Sequence, residues 1–195
     1  MRIIAITNQK GGSGKTTTAV NVAACLAERG RRVLLVDLDA QCSATSWLQV
    51  EEGKGSVLDV LLENVPVSDV IVPTSVSGLA LVPSSPFLVG LDRRLSGEPG
   101  AETILRGAVR RLRSYDYVLF DCPPALGLLT LNALTASREV LVPVEAGVMA
   151  LSGLAQLWRT VETVRERLNG ELRVTGIVAC RVRPTRHAGE VVEEL

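Results

Sequence analysis

The sequence predicts an α/β fold in which one doubly wound, mostly parallel sheet carries helices on both faces. First, short runs of Ile, Val and Leu alternate along the chain with longer segments of helical periodicity. Second, the 195 residues are 47% hydrophobic but only 3% aromatic, so Ala, Val and Leu must build the core, as in buried parallel strands. Third, the first strand, helix and second strand have the spacing of a βαβ unit. The length suits one domain, which we expect to span residues 1–195.

The first βαβ unit has the clearest pattern. Residues 2–7 form an apolar run with three isoleucines, which predicts a short buried strand. Residues 15–29 place valine and alanine on one side of a helix, and Gly30 is a suitable end for it. Residues 32–38 contain the run Val-Leu-Leu-Val and predict a second buried strand.

The remaining elements follow the same alternation, although the middle of the chain is less regular. There we expect a short helix, two short strands, a segment that begins helical and an amphipathic helix, at 56–63, 70–72, Leu79–Val82, 84–98 and 102–113. Strands and helices then alternate clearly, at 117–120, Leu128–Ala136, 139–142, 150–168 and 174–179, with the start of another helix at 189–195. Neither an internal repeat nor a linker interrupts this order.

Charge and cysteine content argue against several classes of function. Lys plus Arg and Asp plus Glu number 21 each, so contact with nucleic acid or an anionic membrane would need a local patch. The four cysteines form no Cys-x-x-Cys pair and there is one histidine, which argues against a Cys/His zinc site. We expect buried, reduced thiols, as in a cytoplasmic protein. No apolar stretch approaches the ~20 residues that span a bilayer, so we expect a soluble protein.

A glycine-rich loop between the first strand and helix predicts phosphate binding. Gly11, Gly12 and Gly14 remove side chains where backbone N–H groups would curl around phosphates, and the helix adds the positive end of its dipole. Lys15 can reach the β and γ phosphates, and Thr16 offers a hydroxyl to Mg²⁺. Such a loop can also simply turn a strand into a helix, but its context favours phosphate binding. The residues assigned to the site are Lys10, Gly11, Gly12, Ser13, Gly14, Lys15, Thr16 and Thr17.

Three acidic residues follow predicted strands. Asp37 and Asp39 lie at the end of the second strand, and Asp121 ends the strand at 117–120. Phosphoryl transfer needs positive charge on the γ-phosphate, a metal that bridges phosphate oxygens and an oriented water. Acids at the carboxyl ends of strands can serve the metal and the water, or can simply cap the next helix. For Asp37 both interpretations stay open.

Five segments together resemble the ParA/MinD ATPases, a family with a P-loop NTPase fold and a deviant Walker A motif. The loop has Gln9 where an ordinary Walker A motif has its first glycine, and Lys10 is a second lysine typical of the deviant form. The next motif of the family usually has Pro where Ala40 stands, and a Walker B motif follows. The segments that carry the resemblance are 9–17, 36–41, 119–124, 132–134 and 142–144.

The resemblance implies ATP and Mg²⁺ as ligands and a dimer with shared sites. Lys10 would be the signature lysine that reaches the phosphates bound by the partner subunit, while Lys15 would act on those of its own subunit. Asp39 would position or polarise the attacking water, and Asp37 would shape the site from the end of its strand. The implied Mg²⁺ shell comprises Thr16, Asp39 and Asp121, the last acting through water.

Three features favour the ParA branch, which includes the Soj type, over the MinD branch. Asp39-Ala40-Gln41 is close to the ParA spelling Asp-Pro-Gln, and 121–132 has the Pro-Pro-x-x-Gly-x-x-x-x-Asn pattern of partition ATPases. The sequence has no C-terminal basic amphipathic helix for a membrane surface. The resemblance therefore implies an ATP-dependent homodimer that binds DNA non-specifically. It also implies a ParB-like centromere-binding partner, a place on the nucleoid in the cytoplasm, and no membrane contact.

The basic segment 181–187 is the candidate DNA surface, because the family carries surface arginines after this strand. Several guanidinium groups on one face can follow DNA phosphates without reading bases, whereas the alternative is an ordinary solvated loop. A second arginine stripe lies on the helix predicted at 102–113, where a solvated helix face is the simpler interpretation. The arginines of the two candidates are Arg181, Arg183 and Arg186, and Arg106, Arg110 and Arg113.

Two other functions stay open. The same ATPase core could recruit to lipid, as a MinD-like positioning ATPase does, or could bind nucleotide without turnover as a scaffold. Family members usually continue with further strands, an adenine-contacting loop and a terminal helix. We therefore expect this domain to lack the family's usual C-terminal segment, and we assign no residue to adenine.

Overall fold

The computed structural model describes residues 1–50, 55–145 and 150–182, except for the side chains of 150–152. Its strands are β1 (Arg2–Ile6), β2 (Val33–Asp37), β3 (Val72–Pro73), β4 (Leu79–Val82), β5 (Tyr117–Asp121), β6 (Glu139–Glu145) and β7 (Arg173–Cys180). Its α-helices are α1 (Lys15–Glu28), α2 (Ser43–Trp47), α3 (Val57–Glu63), α4 (Leu91–Arg94), α5 (Ile104–Val109), α6 (Leu128–Ala136) and α7 (Ala150–Arg167). Short 3₁₀ helices occur at Val67–Asp69, Pro86–Leu88 and Ala101–Thr103.

All the described strands join one sheet in the order β3-β4-β2-β5-β1-β6-β7. Neighbouring strands run parallel, except for the antiparallel pair of β3 and β4. Helix α1 packs on one face, and helices α3, α5, α6 and α7 contribute to the apolar cluster on the other. The predicted doubly wound, mostly parallel α/β sheet is confirmed.

Each face of the sheet has its own apolar cluster, and the central strands contribute side chains to both clusters. On β2, Val33 and Leu35 pack with α1, whereas Leu34 and Val36 pack into the opposite cluster. All four side chains are buried. Because helices cover both faces, the strand reads as a continuous apolar run rather than an alternating one.

Helix α2 was not predicted, because five residues are too few to show helical periodicity or to form a stable helix alone. A tertiary contact holds it instead. The buried Asp37 carboxylate at the end of β2 accepts hydrogen bonds from Thr45 N at 2.9 Å and from Thr45 Oγ1 at 2.8 Å. The helix therefore depends on a residue that precedes it by several positions.

The middle of the chain has shorter elements than predicted. The helix expected at 102–113 is a 3₁₀ turn followed by α5, which ends at Val109 and contains Gly107, a poor helix former. The strand expected at 70–72 is only β3, and the segment 84–98 holds a 3₁₀ helix and α4. The helix expected at 189–195 lies outside the described residues.

Cysteine burial differs from the expectation. All four cysteines are thiols, but only Cys122 is fully buried, while Cys25 is exposed and Cys42 and Cys180 are partly buried. Cys25 lies on the solvent side of α1, away from the alanine and valine stripe that packs on the sheet. Among the described helices, none has the length and apolarity that crossing a membrane would need.

Candidate active site

The site lies where the central parallel strands end. Ile6 of β1, Asp37 of β2 and Asp121 of β5 are register partners, so the loops that follow these strands start side by side. This is the carboxyl edge of the sheet, where open α/β folds bind their ligands. The glycine-rich loop, the segment after β2 and the segment after β5 therefore converge on one place.

The glycine-rich loop is fixed at its start and is built around two glycines with positive φ. Asn8 Nδ2 donates to the Pro143 carbonyl of β6 at 2.7 Å, and Asn8 Oδ1 accepts from Lys10 N at 3.1 Å. Gly12 has a φ of 70° and Gly14 a φ of 93°, which side chains rarely tolerate. A methyl group on Gly14 would also lie 3.2 Å from Cys180 Sγ of β7. The loop conformation thus requires glycine here.

Lys15 opens helix α1 and lies inside the loop. Its side chain is buried, and Nζ donates to the Lys10 carbonyl at 3.1 Å. Burial lowers the pKa of Lys15, and the nearby carboxylates of Asp121 and Asp39 oppose that change. An ammonium group held under a curled backbone is suited to a phosphate chain.

Asp121 is the most unusual group of the site. It is fully buried at the end of β5, and within the described residues neither carboxylate oxygen has a hydrogen-bond partner of normal geometry. Burial raises the pKa of Asp121 to about 7, and the Thr16 side chain is the polar group that most opposes this effect. Ser13 Oγ in the loop is likewise buried, and no described residue is its hydrogen-bond partner. Buried polar groups without partners are rare in folded proteins and call for an explanation.

These groups fit a Mg²⁺ ion whose remaining ligands are water and phosphate, rather than a metal ion whose ligands are all protein side chains. Mg²⁺ prefers oxygen ligands and is usually held by one or two carboxylates together with water and substrate phosphates. The Asp121 carboxylate and the Thr16 hydroxyl offer such oxygens. Across the described ranges, no group of three or more His, Cys, Asp or Glu side chains is arranged to hold a metal.

Asp37 and Asp39 have different surroundings, although they are only two positions apart in the sequence. Asp37 is buried and accepts from Thr45 and from Asp39 N, the latter at 3.1 Å; burial nevertheless raises the pKa of Asp37. Asp39 is partly exposed, and its Oδ1 accepts from Gln41 N at 3.0 Å. It lines a groove of about 500 Å³. Asp37 therefore anchors the segment, and Asp39 faces open space.

Two residues that the sequence did not single out hold the Asp39 segment in place. Ser84 Oγ donates to the Asp39 carbonyl at 2.6 Å, and Ser84 N donates to Thr45 Oγ1 at 3.0 Å. Thr45 in turn binds Asp37. The signal that could have found Ser84 is its position just after β4, at the same edge of the sheet.

Lys10 is engaged within its own chain. Lys10 Nζ donates to Glu145 Oε2 at 2.7 Å, and both side chains are partly exposed. Glu145 ends β6, beside the loop, and the sequence interpretation missed it. The signal that could have found Glu145 is its position at the carboxyl end of a strand.

The candidate DNA residues are only partly described. Arg181 is exposed just beyond β7, and Arg183 and Arg186 lie outside the described residues. Of the second stripe, Arg106 Nη1 donates to the Leu168 carbonyl at 2.8 Å, and Arg113 Nη1 donates to the Arg110 carbonyl at 2.9 Å. Asn132, which belongs to one of the segments that carry the family resemblance, is buried. It donates to the Ala101 carbonyl, at 2.8 Å, so it serves the helical layer rather than the loop.

Comparison with known sequences gives a consistent set of relatives. A family model described as an AAA domain matches residues 1–174. The chain is 45% identical over 198 residues to the sporulation initiation inhibitor protein Soj of Bacillus subtilis, covering 100% of this chain and 78% of that protein. It is 44% identical to the chromosome partitioning protein ParA of Myxococcus xanthus (100% and 70%) and 51% identical to the chromosome-partitioning ATPase Soj of Thermus thermophilus (91% and 68%).

Solved structures share the fold along the whole chain. One is named cobyrinic acid a,c-diamide synthase, from Mycobacterium smegmatis, with bound ADP and magnesium; it has a TM-score of 0.93 and 38% identity, over 100% of this chain and 80% of that one. Another is a putative plasmid partition protein of Borrelia burgdorferi bound to AMPPNP, with a TM-score of 0.87 and 30% identity, over 100% and 80%. The names differ, as one fold can host several activities.

Proposed function

Because this chain belongs to the ParA/MinD family and resembles its ParA and Soj chromosome-partitioning members, we propose that it is an ATP-driven dimerisation switch that segregates DNA. ATP and Mg²⁺ bind at the glycine-rich loop, two subunits close face to face, and the dimer binds DNA without sequence preference. Hydrolysis reopens the dimer, and a ParB-like centromere-binding partner stimulates it. The observation that carries this proposal is the buried Asp121 carboxylate beside Lys15 and the loop, which has no hydrogen-bond partner among the described residues.

Nucleotide and metal are proposed from the oxygen and nitrogen groups that face the loop. Backbone N–H groups of the loop and Lys15 would bind the phosphates, and Thr16, Asp121 and Asp39 would hold Mg²⁺ directly or through water. Mg²⁺, when bound, would supply positive charge that neutralises part of the charge on the phosphate oxygens. Relatives of this fold were crystallised with ADP, AMPPNP and magnesium, which supports the same ligands here.

Hydrolysis needs an oriented water, and Asp39 is the side chain proposed for that role. It is partly exposed, lines an open groove, and stands on a segment that Ser84 and Thr45 fix. A positioned carboxylate can accept a hydrogen bond from water and aim it at the γ-phosphate. Lys10 and Lys15 would stabilise the negative charge of the transition state.

The switch is proposed from Lys10. Its side chain is partly exposed, so it can leave Glu145 and reach a phosphate on a second copy of the chain. Dimerisation would then depend on ATP, because the phosphate provides the partner that replaces Glu145.

DNA binding is proposed for the basic segment that begins at Arg181 and includes Arg183 and Arg186. Guanidinium groups that contact only phosphates give binding without sequence preference and with strong salt dependence. Such a protein would lie on the nucleoid in the cytoplasm. The partition role of the relatives supports this assignment.

The test combines turnover with assembly state. We expect Lys15→Ala and Lys10→Ala each to lower ATP turnover by at least ~100-fold, because each removes a cation from the phosphates. Arg138→Ala, at the opposite edge of the sheet, is the matched control and should keep full turnover. Size-exclusion chromatography should give a dimer with ATP, but not with ADP or without nucleotide, and only the dimer should retain DNA.

Other outcomes identify the alternatives. Undiminished turnover in both lysine variants would refute the switch. ATP binding without turnover would instead indicate a nucleotide-binding scaffold. ATP-dependent pelleting with anionic liposomes, without DNA retention, would indicate a MinD-like positioning ATPase.

A further inference from the structure

The end of strand β7 forms a wall of the glycine-rich loop. Cys180 is the register partner of Glu145, which pairs with Lys10. Cys180 Sγ lies 3.2 Å from the position of a methyl group on Gly14. The next residue along the chain, Arg181, approaches the neighbouring part of the loop. Its Nη1 lies 3.9 Å from the position of a methyl group on Gly12.

Arg181 is held there by an unusual backbone. It has a φ of 51°, in the left-handed region that non-glycine residues rarely adopt. Such conformations cluster at ligand-binding and active sites. The chain therefore turns sharply after β7, and the turn brings the guanidinium over the loop.

Within the part of the chain that the structure describes, the Arg181 guanidinium has no partner, unlike the two lysines of the loop. Lys10 is paired with Glu145, and Lys15 donates to the Lys10 carbonyl with Asp121 and Asp39 nearby. Among the described residues, Arg181 makes neither a hydrogen bond nor an ion pair with any other. An exposed guanidinium beside backbone N–H groups that curl around phosphates is matched to a phosphate oxygen, which it can bind through two N–H groups.

We propose that Arg181 is a nucleotide-binding residue whose guanidinium contacts the phosphates of the nucleotide held by the loop. This inference rests on the proposed nucleotide binding of the loop. It adds a third cation to the site, supplied from β7 rather than from the loop itself. Arg181 then leaves the DNA-contacting set, in which Arg183 and Arg186 remain.

The experiment measures ADP affinity, since no hydrolysis can disturb it. Fluorescently labelled ADP is titrated into the unaltered protein and into Arg181→Ala, Arg181→Lys and Arg173→Ala. Arg173 is an exposed arginine at the other end of β7, so its variant is the matched control. We expect Arg181→Ala to weaken ADP binding by ~10-fold, the size of one charge-assisted contact. Arg181→Lys should lose less because it keeps the charge, and Arg173→Ala should lose nothing.

Competition by adenosine separates the phosphates from the base. Arg181→Ala should leave adenosine affinity unchanged, and an equal loss for adenosine would overturn the phosphate contact. Unchanged ADP affinity in Arg181→Ala would also overturn it, and if DNA retention fell at the same time, Arg181 would be a DNA contact. Failure of the unaltered protein to bind ADP would overturn the proposed function and this inference together. An unchanged unfolding midpoint without nucleotide checks that each variant folds.

Discussion

At the amino edge of the sheet, charged side chains pair with each other, whereas at the carboxyl edge the buried Asp121 carboxylate has no hydrogen-bond partner among the described residues. Arg2 pairs with Glu139 at 2.6 Å, and the further pairs of this edge are Arg32 with Asp116 at 2.8 Å and Arg138 with Glu171 at 2.9 Å. At the other end of the same strands, Asp121 and Ser13 have no partner in the described part of the chain. Both situations occur along strand β5: the paired Asp116 directly precedes the strand, and Asp121 is its last residue.

The difference separates stability from function. A paired carboxylate favours the folded state, so the pKa of Glu139 and of Asp116 is lowered by its arginine partner. A buried carboxylate without a partner opposes folding, and it persists where a ligand supplies what the protein lacks. Mutations at the amino edge should therefore change stability alone. Mutations at the carboxyl edge should change activity, and can even stabilise the ligand-free fold.

The largest effect is expected for Asp121→Asn, which keeps the shape of the side chain and removes its charge. ATP turnover should fall by at least ~100-fold, because the proposed Mg²⁺ site loses its buried carboxylate. Without nucleotide and metal, the free energy of unfolding should rise by about 1 kcal/mol, because a carboxylate whose charged form is disfavoured by burial is gone. Turnover assays and urea unfolding measure the two effects.

Asp116→Asn, just before the start of the same strand, is the control for that prediction. It breaks the exposed contact with Arg32 and should leave turnover unchanged. If Asp121→Asn destabilised the ligand-free protein, the contrast between the two edges would not hold.

A smaller effect is expected at the amino edge for Arg2→Ala. The Glu139 side chain is only 6% exposed and would lose its guanidinium partner, but Arg2 itself is 56% exposed, so the pair is partly screened. The free energy of unfolding at pH 7 should fall by about 1 kcal/mol with normal ATP turnover. The pKa of Glu139 is lowered in the folded state, so the pair stabilises above the ordinary glutamate pKa of about 4.3 and loses its effect as the pH falls further. Urea unfolding should therefore show a smaller difference in unfolding free energy between Arg2→Ala and the unaltered protein below pH 4 than at pH 7.

Arg138→Ala is the control for Arg2→Ala, because Arg138 and Glu171 are both about two-thirds exposed. Its change in unfolding free energy should stay within about 0.5 kcal/mol. A loss of turnover in Arg2→Ala would contradict the separation of the two edges.

The smallest effect is expected for Glu145→Gln, which removes the charge that pairs with Lys10 at the carboxyl edge. The variant weakens the hold on Lys10, so the ATP concentration that gives half-maximal dimer should fall by roughly 2- to 5-fold, the range of a partly exposed ion pair. Analytical ultracentrifugation across an ATP series measures it, with Glu171→Gln as the exposed control. A higher ATP requirement would mean that Glu145 supports the dimer rather than restrains Lys10.

Much of this arrangement was predictable from the sequence, and the failures have physical causes. Helix α6 was predicted with its observed ends, Leu128 and Ala136, from its place in the alternation of helices and strands. Helix α2 was missed because Asp37 holds it from outside. The helix predicted at 102–113 was too long because its apolar spacing runs on to the buried Leu112, whereas α5 ends at Val109. The proposed roles of Lys10, Asp39 and Asp121 followed from a resemblance and stay predictions.

The sequence by itself determined the alternating α/β architecture, the position of the glycine-rich loop and the acids that follow the strands, since these depend on residue type and local spacing. Only the tertiary structure decided which groups meet there. It paired Lys10 with Glu145, bound Asp37 to Thr45 and turned Arg181 towards Gly12. It also left Asp121 buried without a hydrogen-bond partner in the described part of the chain. These contacts join strands and loops far apart in the chain, and local spacing does not encode the order in which parallel strands assemble.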